Sequence, residues 1–134
     1  MDCIKWSDQH RLGVRIIDEQ HKRLITQIND LYDNIALNKK EAMGQALDGL
    51  SEYMQTHFVV EEEFMIVYGY ASFELHKNSH DSFRKKVANM SSEYQKDNMD
   101  KAREILLYLF EWLRCHLLEE DKDLVAFLNS KGVD

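Results

Sequence analysis

The residues best suited to chemistry are histidines and carboxylates that stand at apolar positions of helical patterns. His57 and Glu61 are four residues apart. An α-helix turns about 100° per residue, so both side chains leave the same face and can hold one ion between them. A single pair of this spacing also occurs as an ordinary surface ion pair. Its meaning therefore depends on the rest of the chain.

Five further residues of the same types occupy core positions of other segments: His21, His76, His80, His116 and Asp121. One histidine in a core is usually satisfied by a hydrogen bond. Five histidines in one core lack enough acceptors, and burying them unpaired is costly. A metal centre removes this difficulty, because each imidazole binds an ion through one nitrogen and turns its other N–H to an acceptor.

The number of donors predicts two ions rather than one. In octahedral geometry, five nitrogens, bridging Glu61 and Asp121, and one bridging oxide or hydroxide leave one position open, on one ion only. His76 and His80 are four residues apart and are expected to hold the same ion. Imidazole with carboxylate suits iron, manganese or zinc, and a nitrogen-rich bridged pair with a vacancy favours iron.

The spacing of the last two donors does not fit a regular helix. His116 and Asp121 are five residues apart, which places their side chains about 140° from each other on an α-helix. A π-bulge between them would turn both side chains to the same side, and such bulges are frequent at functional sites. The sequence therefore predicts a π-bulge at this point.

Four amphipathic segments carry these residues. Their apolar residues recur every three or four positions, and no β-type alternation of any length is present. The chain has no proline and only five glycines, so few residues break helices. Asp18 and Ser72 are predicted N-caps, and Gly69 is a predicted C-terminal stop. The predicted helices span about 18–38, 40–68, 72–92 and 99–130, after an irregular N-terminal arm of residues 1–17.

These elements predict an all-α fold. Four amphipathic helices joined by short turns bury their apolar stripes most simply as an antiparallel up-down-up-down four-helix bundle. With 134 residues, of which 44% are hydrophobic and 31% charged, the chain is long enough for a real core. We therefore expect residues 1–134 to form a single domain.

Charge and cysteine content exclude several classes of function. A net charge of −7 argues against nucleic acid and anionic membranes as partners, since both reward a basic face. No apolar run approaches the roughly 20 residues of a membrane span. Cys3 and Cys115 are the only cysteines, and the N-terminus lacks the pattern of a signal peptide, so we expect a cytoplasmic protein, and we expect a monomer.

The order and intervals of the donors resemble the full ligand pattern of the hemerythrin family: His21, His57-x-x-x-Glu61, His76-x-x-x-His80 and His116-x-x-x-x-Asp121. The resemblance covers nearly the whole chain, and the stretches 18–21, 57–62 and 112–116 are similar to the single-domain bacterial branch, the bacteriohemerythrins. It implies the same up-down-up-down fold, which is that of myohemerythrin.

The resemblance also implies a function. It implies two iron ions with a bridging oxide or hydroxide and reversible binding of dioxygen, for oxygen transport, storage or delivery rather than catalysis. By similarity, His76, His80 and His116 belong to one iron, while His21 and His57 belong to the other, which carries the vacancy. Five residues one to four positions from donors are expected to form the wall of the oxygen pocket or to be plain core: Leu24, Phe58, Trp112, Leu113 and Leu117.

Other functions stay open at this point. A sensor module would change its contacts with a partner when oxygen or iron binds, and a di-iron oxidase or peroxidase would turn over. Ferritin-like oxidases use Glu-x-x-His pairs, which this chain lacks. An oxygen carrier would need an oxygen-consuming or redox partner, which the sequence does not identify.

Several residues near the donors are assigned no role. His10 matches no ligand position and is expected in the arm. The four glutamates that neighbour the donors are expected on a solvated acidic face: Glu62, Glu63, Glu119 and Glu120. Cys115 adjoins His116 but points to another side of the helix, and thiol reactivity requires exposure together with a lowered pKa, so no redox role is assigned to it.

Overall fold

The computed structural model describes residues 4–93 and 98–134 as a bundle of helices. Helix α1 spans Arg15–Ala36, α2 spans Lys40–Tyr68, α3 spans Phe73–Glu93 and α4 spans Met99–Cys115. A π-helical turn, His116–Glu120, joins α4 directly to α5, Asp121–Ser130. These last three elements form one continuous rod, so the bundle has four rods. No strand is present among the described residues, and the predicted all-α four-helix fold is confirmed.

The helices pack as a closed ring. α1 contacts α2, α2 contacts α3, α3 contacts α4, and α4 returns to α1. The connections from α1 to α2 and from α2 to α3 are only a few residues long, which forces consecutive helices to run in opposite directions. Within the part of the chain that is described, no helix combines the length and apolar character needed to cross a membrane.

The start of α1 differs from the prediction. The helix begins at Arg15 instead of residue 18, and Asp18 lies within its first turn rather than at the N-cap. The Asp18 carboxylate accepts hydrogen bonds from the backbone N–H groups of Leu12 (2.8 Å) and Gly13 (3.2 Å). It thus pairs backbone N–H groups of the segment that precedes the helix, whereas a true N-cap pairs the N–H groups of the helix's own first turn. The Asp18 N-cap prediction is therefore wrong.

The other helix ends lie close to the predictions. Gly69 adopts the left-handed conformation, with φ of 70°, and stops α2 as glycine commonly does. The backbone carbonyl of Ser72 accepts from the N–H of His76 at 3.0 Å, so α3 starts from this serine. Asn98 caps α4 by accepting from the N–H of Lys101 at 2.9 Å. The turn predicted between the third and fourth helices lies mostly outside the described residues, and Cys3 lies outside them as well.

The first described residue of the arm is hydrogen-bonded to the bundle by one amide side chain. Asn29 of α1 accepts from the backbone N–H of Ile4 at 2.8 Å and donates to its carbonyl at 2.7 Å. A 3₁₀ turn, Asp8–His10, follows, and Val14 is extended at the entrance to α1. The arm therefore ends at Val14, three residues earlier than predicted.

The interior contains two apolar clusters. The large apolar cluster is formed by residues such as Leu31, Leu50, Met54, Val87 and Ile105. The small apolar cluster comprises Val14, Ile17, Met65, Leu124, Val125 and Leu128. On α1, on α2 and on the rod of α4 and α5, the predicted metal donors lie at the boundary between the two clusters. The bundle thus carries a polar layer between two apolar ones.

Candidate metal centre

The structure brings all seven predicted donors together in the polar layer. His76 is 4% exposed, and the other six are fully buried: His21, His57, Glu61, His80, His116 and Asp121. Ionisable side chains are almost never buried so completely unless they are paired or bind an ion. Their convergence from four separate rods makes this layer the candidate functional site.

Helix geometry explains why most of these side chains meet. His57 and Glu61 on α2, and His76 and His80 on α3, each use the four-residue spacing that keeps two side chains on one face. The last pair, His116 and Asp121, is separated by the π-helical turn. A π-turn closes hydrogen bonds from i to i+5, and this turn lets two residues five apart both reach the core. The predicted π-bulge is confirmed.

Every histidine of the site presents Nε2 to the carboxylates. Asp121 Oδ2 lies 2.7 Å from His21 Nε2, 2.9 Å from His116 Nε2 and 3.3 Å from His57 Nε2. Glu61 Oε1 lies 3.0 Å from His80 Nε2 and 3.1 Å from His116 Nε2. The two carboxylates therefore sit in the middle of a shell of imidazole nitrogens.

The donor atoms divide into two groups that each suit one metal ion. One group comprises Glu61, His76, His80 and His116, and the other comprises His21, His57, Glu61 and Asp121. Within each group, the donor atoms lie within 4.8 Å of one another. Because Glu61 belongs to both groups, the geometry fits a dinuclear site with a bridging carboxylate. The two groups are called the three-histidine position and the two-histidine position below.

Hydrogen bonds on the outer side fix two of the histidine tautomers. His80 Nδ1 lies 2.7 Å from Glu62 Oε2, and His57 Nδ1 lies 2.8 Å from Gln20 Oε1. Carboxylate and amide oxygens accept hydrogen bonds, so in each case Nδ1 carries the proton and donates it. In the neutral ring this leaves the lone pair on Nε2, which faces the centre of the layer. This is the arrangement of a metal-binding histidine with its outer acceptor.

Unpaired atoms in the layer support the same reading. Glu61 Oε2, Asp121 Oδ1 and His76 Nε2 are buried and have no hydrogen-bond partner. His76 Nε2 and Asp121 Oδ1 are 3.2 Å apart, yet they form no hydrogen bond. A buried unpaired oxygen or nitrogen is costly, but these are the atoms that would bind ions. The residues present therefore fit a pair of metal ions.

The charges in the layer shift the pKa values of its members strongly. Burial raises the pKa of Asp121, but the positive charge of His116 and hydrogen bonds outweigh it and hold the pKa well below its ordinary value. Burial lowers the pKa of His76, and attraction to Asp121 and Glu61 more than reverses this, raising the pKa to about 9. For His21 and His80 burial prevails and lowers the pKa. Metal ions bound here would compete with protons for the same histidine nitrogens.

Two glutamates that were expected on a solvated face contribute to the site. Glu62 is 15% exposed and accepts from His80, and its Oε2 also accepts from Arg84 NH2 at 2.9 Å. Glu120 accepts from the Ser79 hydroxyl at 2.8 Å, and its Oε1 lies 3.9 Å from His116 Nδ1. The prediction was wrong for these two residues, because helix packing turns them toward the outer edges of the imidazoles.

The other residues to which the sequence analysis assigned no role lie outside the polar layer. Glu63 and Glu119 are exposed, as predicted. Cys115 is exposed and unpaired. His10 lies in the arm, where its ring stacks on Trp6 and its Nδ1 accepts from the backbone N–H of Ser7 at 3.0 Å. None of these belongs to either group of donors.

Sequence patterns did not reveal Gln20, Glu62, Arg84 or Glu120 as parts of the site. Gln20 directly precedes a donor in the sequence, which is the only local hint of its role. The others are polar residues at positions that a helical pattern assigns to the surface. Their contacts depend on how neighbouring helices are rotated against each other.

All five expected pocket residues are at least partly buried, and two of them, Phe58 and Trp112, contact donor rings. Leu24, Phe58, Leu113 and Leu117 are buried, and Trp112 is half-buried. The Phe58 ring stacks on His80 with 3.9 Å between centroids, and the Trp112 ring stacks on His116 at 4.4 Å. Both aromatic rings therefore lie against the three-histidine position, whereas the resemblance placed the vacancy at the other one. Phe58 also lies 6.1 Å from the ring of His57.

Comparison with known proteins decides the family. The model of the hemerythrin HHE cation binding domain matches residues 12–128. The chain belongs to the hemerythrin family. The match includes all seven donors and ends at Leu128, near the end of α5.

Curated hemerythrin relatives agree. A bacteriohemerythrin of Stenotrophomonas maltophilia is 32% identical over 122 residues, which cover 91% of this chain and 79% of the relative. A bacteriohemerythrin of Clostridium acetobutylicum is 30% identical over 125 residues, which cover 90% of this chain and 97% of the relative. A crystal structure of wild-type hemerythrin superposes with a TM-score of 0.81 at 29% identity, covering 94% of this chain and 98% of that one. The predicted membership of this family is confirmed.

Proposed function

We propose that this hemerythrin binds dioxygen reversibly at a non-haem di-iron centre and serves oxygen transport, storage or delivery rather than catalysis. The observation that carries the proposal is the pair of buried donor groups that share Glu61. A histidine-rich shell with two carboxylates suits iron and differs from the glutamate-rich shell of ferritin-like oxidases. Family membership adds independent support.

We assign three histidines to one ion and two to the other. His76, His80 and His116 would bind the first ion, and His21 and His57 the second. Glu61 and Asp121 would bridge them; Asp121 has one oxygen 3.2 Å from His76 Nε2 and the other 2.7 Å from His21 Nε2. Held by these residues, a reduced iron pair would supply the two electrons that reversible dioxygen binding requires. With both carboxylates as bridges, the two-histidine position would have one protein donor fewer than the three-histidine position, so we place the open coordination position there.

The protein's own part is to hold these donors rigid and dry. Phe58 and Leu24 are fully buried beside the layer, and Leu113 and Leu117 are nearly so. Excluding water strengthens electrostatic interactions in a site and suppresses side reactions such as proton leakage. We therefore assign these residues, together with Trp112, to the apolar wall around the proposed oxygen site; the rings of Phe58 and Trp112 would close it from the side of the three-histidine position.

The proposal also covers the cellular compartment, the oligomeric state and the partner. Cys115 is exposed and free, which suits a reducing compartment. We therefore propose a cytoplasmic protein that acts as a monomer and passes oxygen to an oxygen-consuming or redox partner. Light scattering of the purified chain tests the monomer, and a larger particle would contradict it.

Two measurements test the function. Metal analysis of the purified protein should find two irons per chain; two zinc or manganese ions would overturn the di-iron proposal. The reduced protein, exposed to air without oxygen-consuming reagents, should develop a visible charge-transfer band that disappears under argon and returns in air. A band that bleaches irreversibly would favour an oxidase or peroxidase instead.

A matched pair of variants ties the band to the site. Glu61→Gln changes the carboxylate shared by both donor groups and should abolish the reversible band. Glu63→Gln makes the same chemical change two residues along α2, on an exposed side chain, and should leave the band intact. Equal loss in both variants would show that the band does not depend on the shared carboxylate.

A further inference from the structure

The two metal positions differ in the charge of the groups behind their histidines. At the three-histidine position, His80 Nδ1 donates to the Glu62 carboxylate at 2.7 Å, and the carboxylate of Glu120 lies 3.9 Å from His116 Nδ1. At the two-histidine position, His57 Nδ1 donates to the neutral amide oxygen of Gln20 at 2.8 Å. The Nδ1 atoms of His21 and His116 are both buried without a hydrogen-bond partner, so at 3.9 Å the Glu120 carboxylate acts on His116 by charge and not by a hydrogen bond. In the described part of the chain, the outer contacts thus include carboxylates at the three-histidine position and a neutral amide at the two-histidine position.

Arg84 holds Glu62 in place. Its NH2 donates to Glu62 Oε2 at 2.9 Å, its Nε donates to Gln55 Oε1 at 2.8 Å, and its NH1 donates to Asp81 Oδ1 at 2.8 Å. The guanidinium carbon also lies 5.0 Å from the centre of the Phe58 ring, which itself stacks on His80. A guanidinium fixed at four points leaves the Glu62 carboxylate little freedom to move away from His80.

An anionic acceptor changes the histidine that it contacts. A hydrogen bond to a carboxylate is roughly twice as strong as one to a neutral oxygen. It draws the Nδ1 proton away from the ring, which makes Nε2 more basic and a stronger metal ligand, and it fixes the ring orientation. The amide of Gln20 fixes the ring of His57 in the same way but adds no charge. The difference between the two positions is therefore electronic as well as a matter of ligand count.

We propose that Glu62, held by Arg84, is a positioning residue that makes the three-histidine position the tighter of the two metal positions. The inference rests on the proposed metal pair but not on oxygen binding. It implies that one metal ion is lost readily and the other slowly, and that Glu62 controls the slow one. If the number of ligands alone made one ion leave more slowly than the other, a change at Glu62 would not alter the rate of metal loss.

Glu62→Gln is the central variant because it keeps the size and an acceptor oxygen while removing the charge. The metal-free protein is loaded anaerobically with two ferrous ions, and their release to an excess of a chromogenic chelator is followed with time. The wild type should release iron in two phases of one ion each. In Glu62→Gln the slow phase should accelerate by about tenfold, the lower end of the range for loss of an outer partner, while the fast phase stays unchanged.

Three further variants separate positioning from general loosening. Glu63→Gln, the exposed control, should leave both phases unchanged. Arg84→Met should accelerate the slow phase less than Glu62→Gln does, because Glu62 remains but is no longer held. Gln20→Ala, which removes the acceptor of His57, should accelerate the fast phase only. Together they assign each phase to one position.

Several results would overturn the inference. A single release phase in the wild type would show that the positions are equal. An unchanged slow phase in Glu62→Gln, or equal acceleration of both phases, would show that the charge of Glu62 does not act on one position. A chain that holds two ferrous ions without a reversible oxygen band would overturn the proposed function and leave this inference standing. If the wild type binds oxygen reversibly but Glu62→Gln releases iron at the wild-type rates, the inference fails and the proposed function stands.

Discussion

The polar layer and the large apolar cluster are built by the same rods but are stabilised in opposite ways. In the apolar cluster, residues such as Leu50 and Ile105 are at most 2% exposed and gain free energy simply by leaving water, about 25 cal/mol per Å² of apolar surface. In the polar layer, burial works against every ionisable group, and some buried oxygens and nitrogens have no partner. Packing alone satisfies the first region, whereas the second leaves buried oxygens and nitrogens unpaired, as a site for metal ions would.

This difference indicates that the polar layer does not serve to stabilise the fold. Buried ionic groups rarely stabilise a fold better than apolar residues of the same size. A bundle built only for stability would continue the apolar clusters through this level, so the layer is best explained by its chemistry. The two regions should therefore respond differently to change, and the following predictions are ordered from the largest expected effect to the smallest.

Asp121→Ala should have the largest effect on the polar layer. The two oxygens of Asp121 lie within 3.3 Å of Nε2 atoms from four histidines, so its loss removes a donor of the two-histidine position and the carboxylate that we propose as the second bridge. Metal analysis should find fewer than two irons per chain, and the oxygen band should be lost. Asp123→Ala, on an exposed side chain of the same helix, is the control. Two irons in both variants would contradict the bridging role.

Removing the metal should lower the melting temperature by roughly 10 °C or more, because ligand at about 100 times its Kd stabilises by about 2.7 kcal/mol and each kcal/mol shifts the midpoint by several degrees. The reason is that the metal-free layer must bury seven ionisable groups without their ions. Thermal unfolding followed by circular dichroism, before and after chelation, measures the shift. An unchanged midpoint would show that the layer is satisfied without metal.

Leu50→Ala should damage stability and spare the metal. Leu50 is 1% exposed in the large apolar cluster, and truncation of such a leucine costs about 2–5 kcal/mol through lost burial and the cavity left behind. Urea unfolding of the loaded protein measures the loss, while metal analysis should still find two irons per chain. A drop in iron content at full folding would show that the two regions are more tightly coupled than we propose.

His10→Ala should have the smallest effect. The side chain stacks on Trp6 and accepts from the N–H of Ser7 within the arm, so its loss should cost about 1 kcal/mol or less. Iron content and the oxygen band should match the wild type. Loss of iron here would mean that the arm takes part in the metal site, which its position does not suggest.

Much of the site could be predicted because helices are periodic. A histidine at every third or fourth position of an apolar stripe must face the core, whichever helix it later meets. The misfit between His116 and Asp121 even predicted the π-turn, since a regular helix would have turned one of them away. The start of α1 was predicted less well, because Asp18 is an acceptor that suits two different backbone partners.

The sequence by itself determined the four-rod fold, the seven donors and their family, because these depend on spacing along single helices. The resemblance also implied how the donors divide between two ions, and only the tertiary structure decided which groups lie behind the imidazoles. Gln20 meets His57 across 37 residues, and Glu62 meets His80 across 18. Such contacts depend on the rotation and offset of one helix against another, which side-chain packing fixes and no single-helix period records.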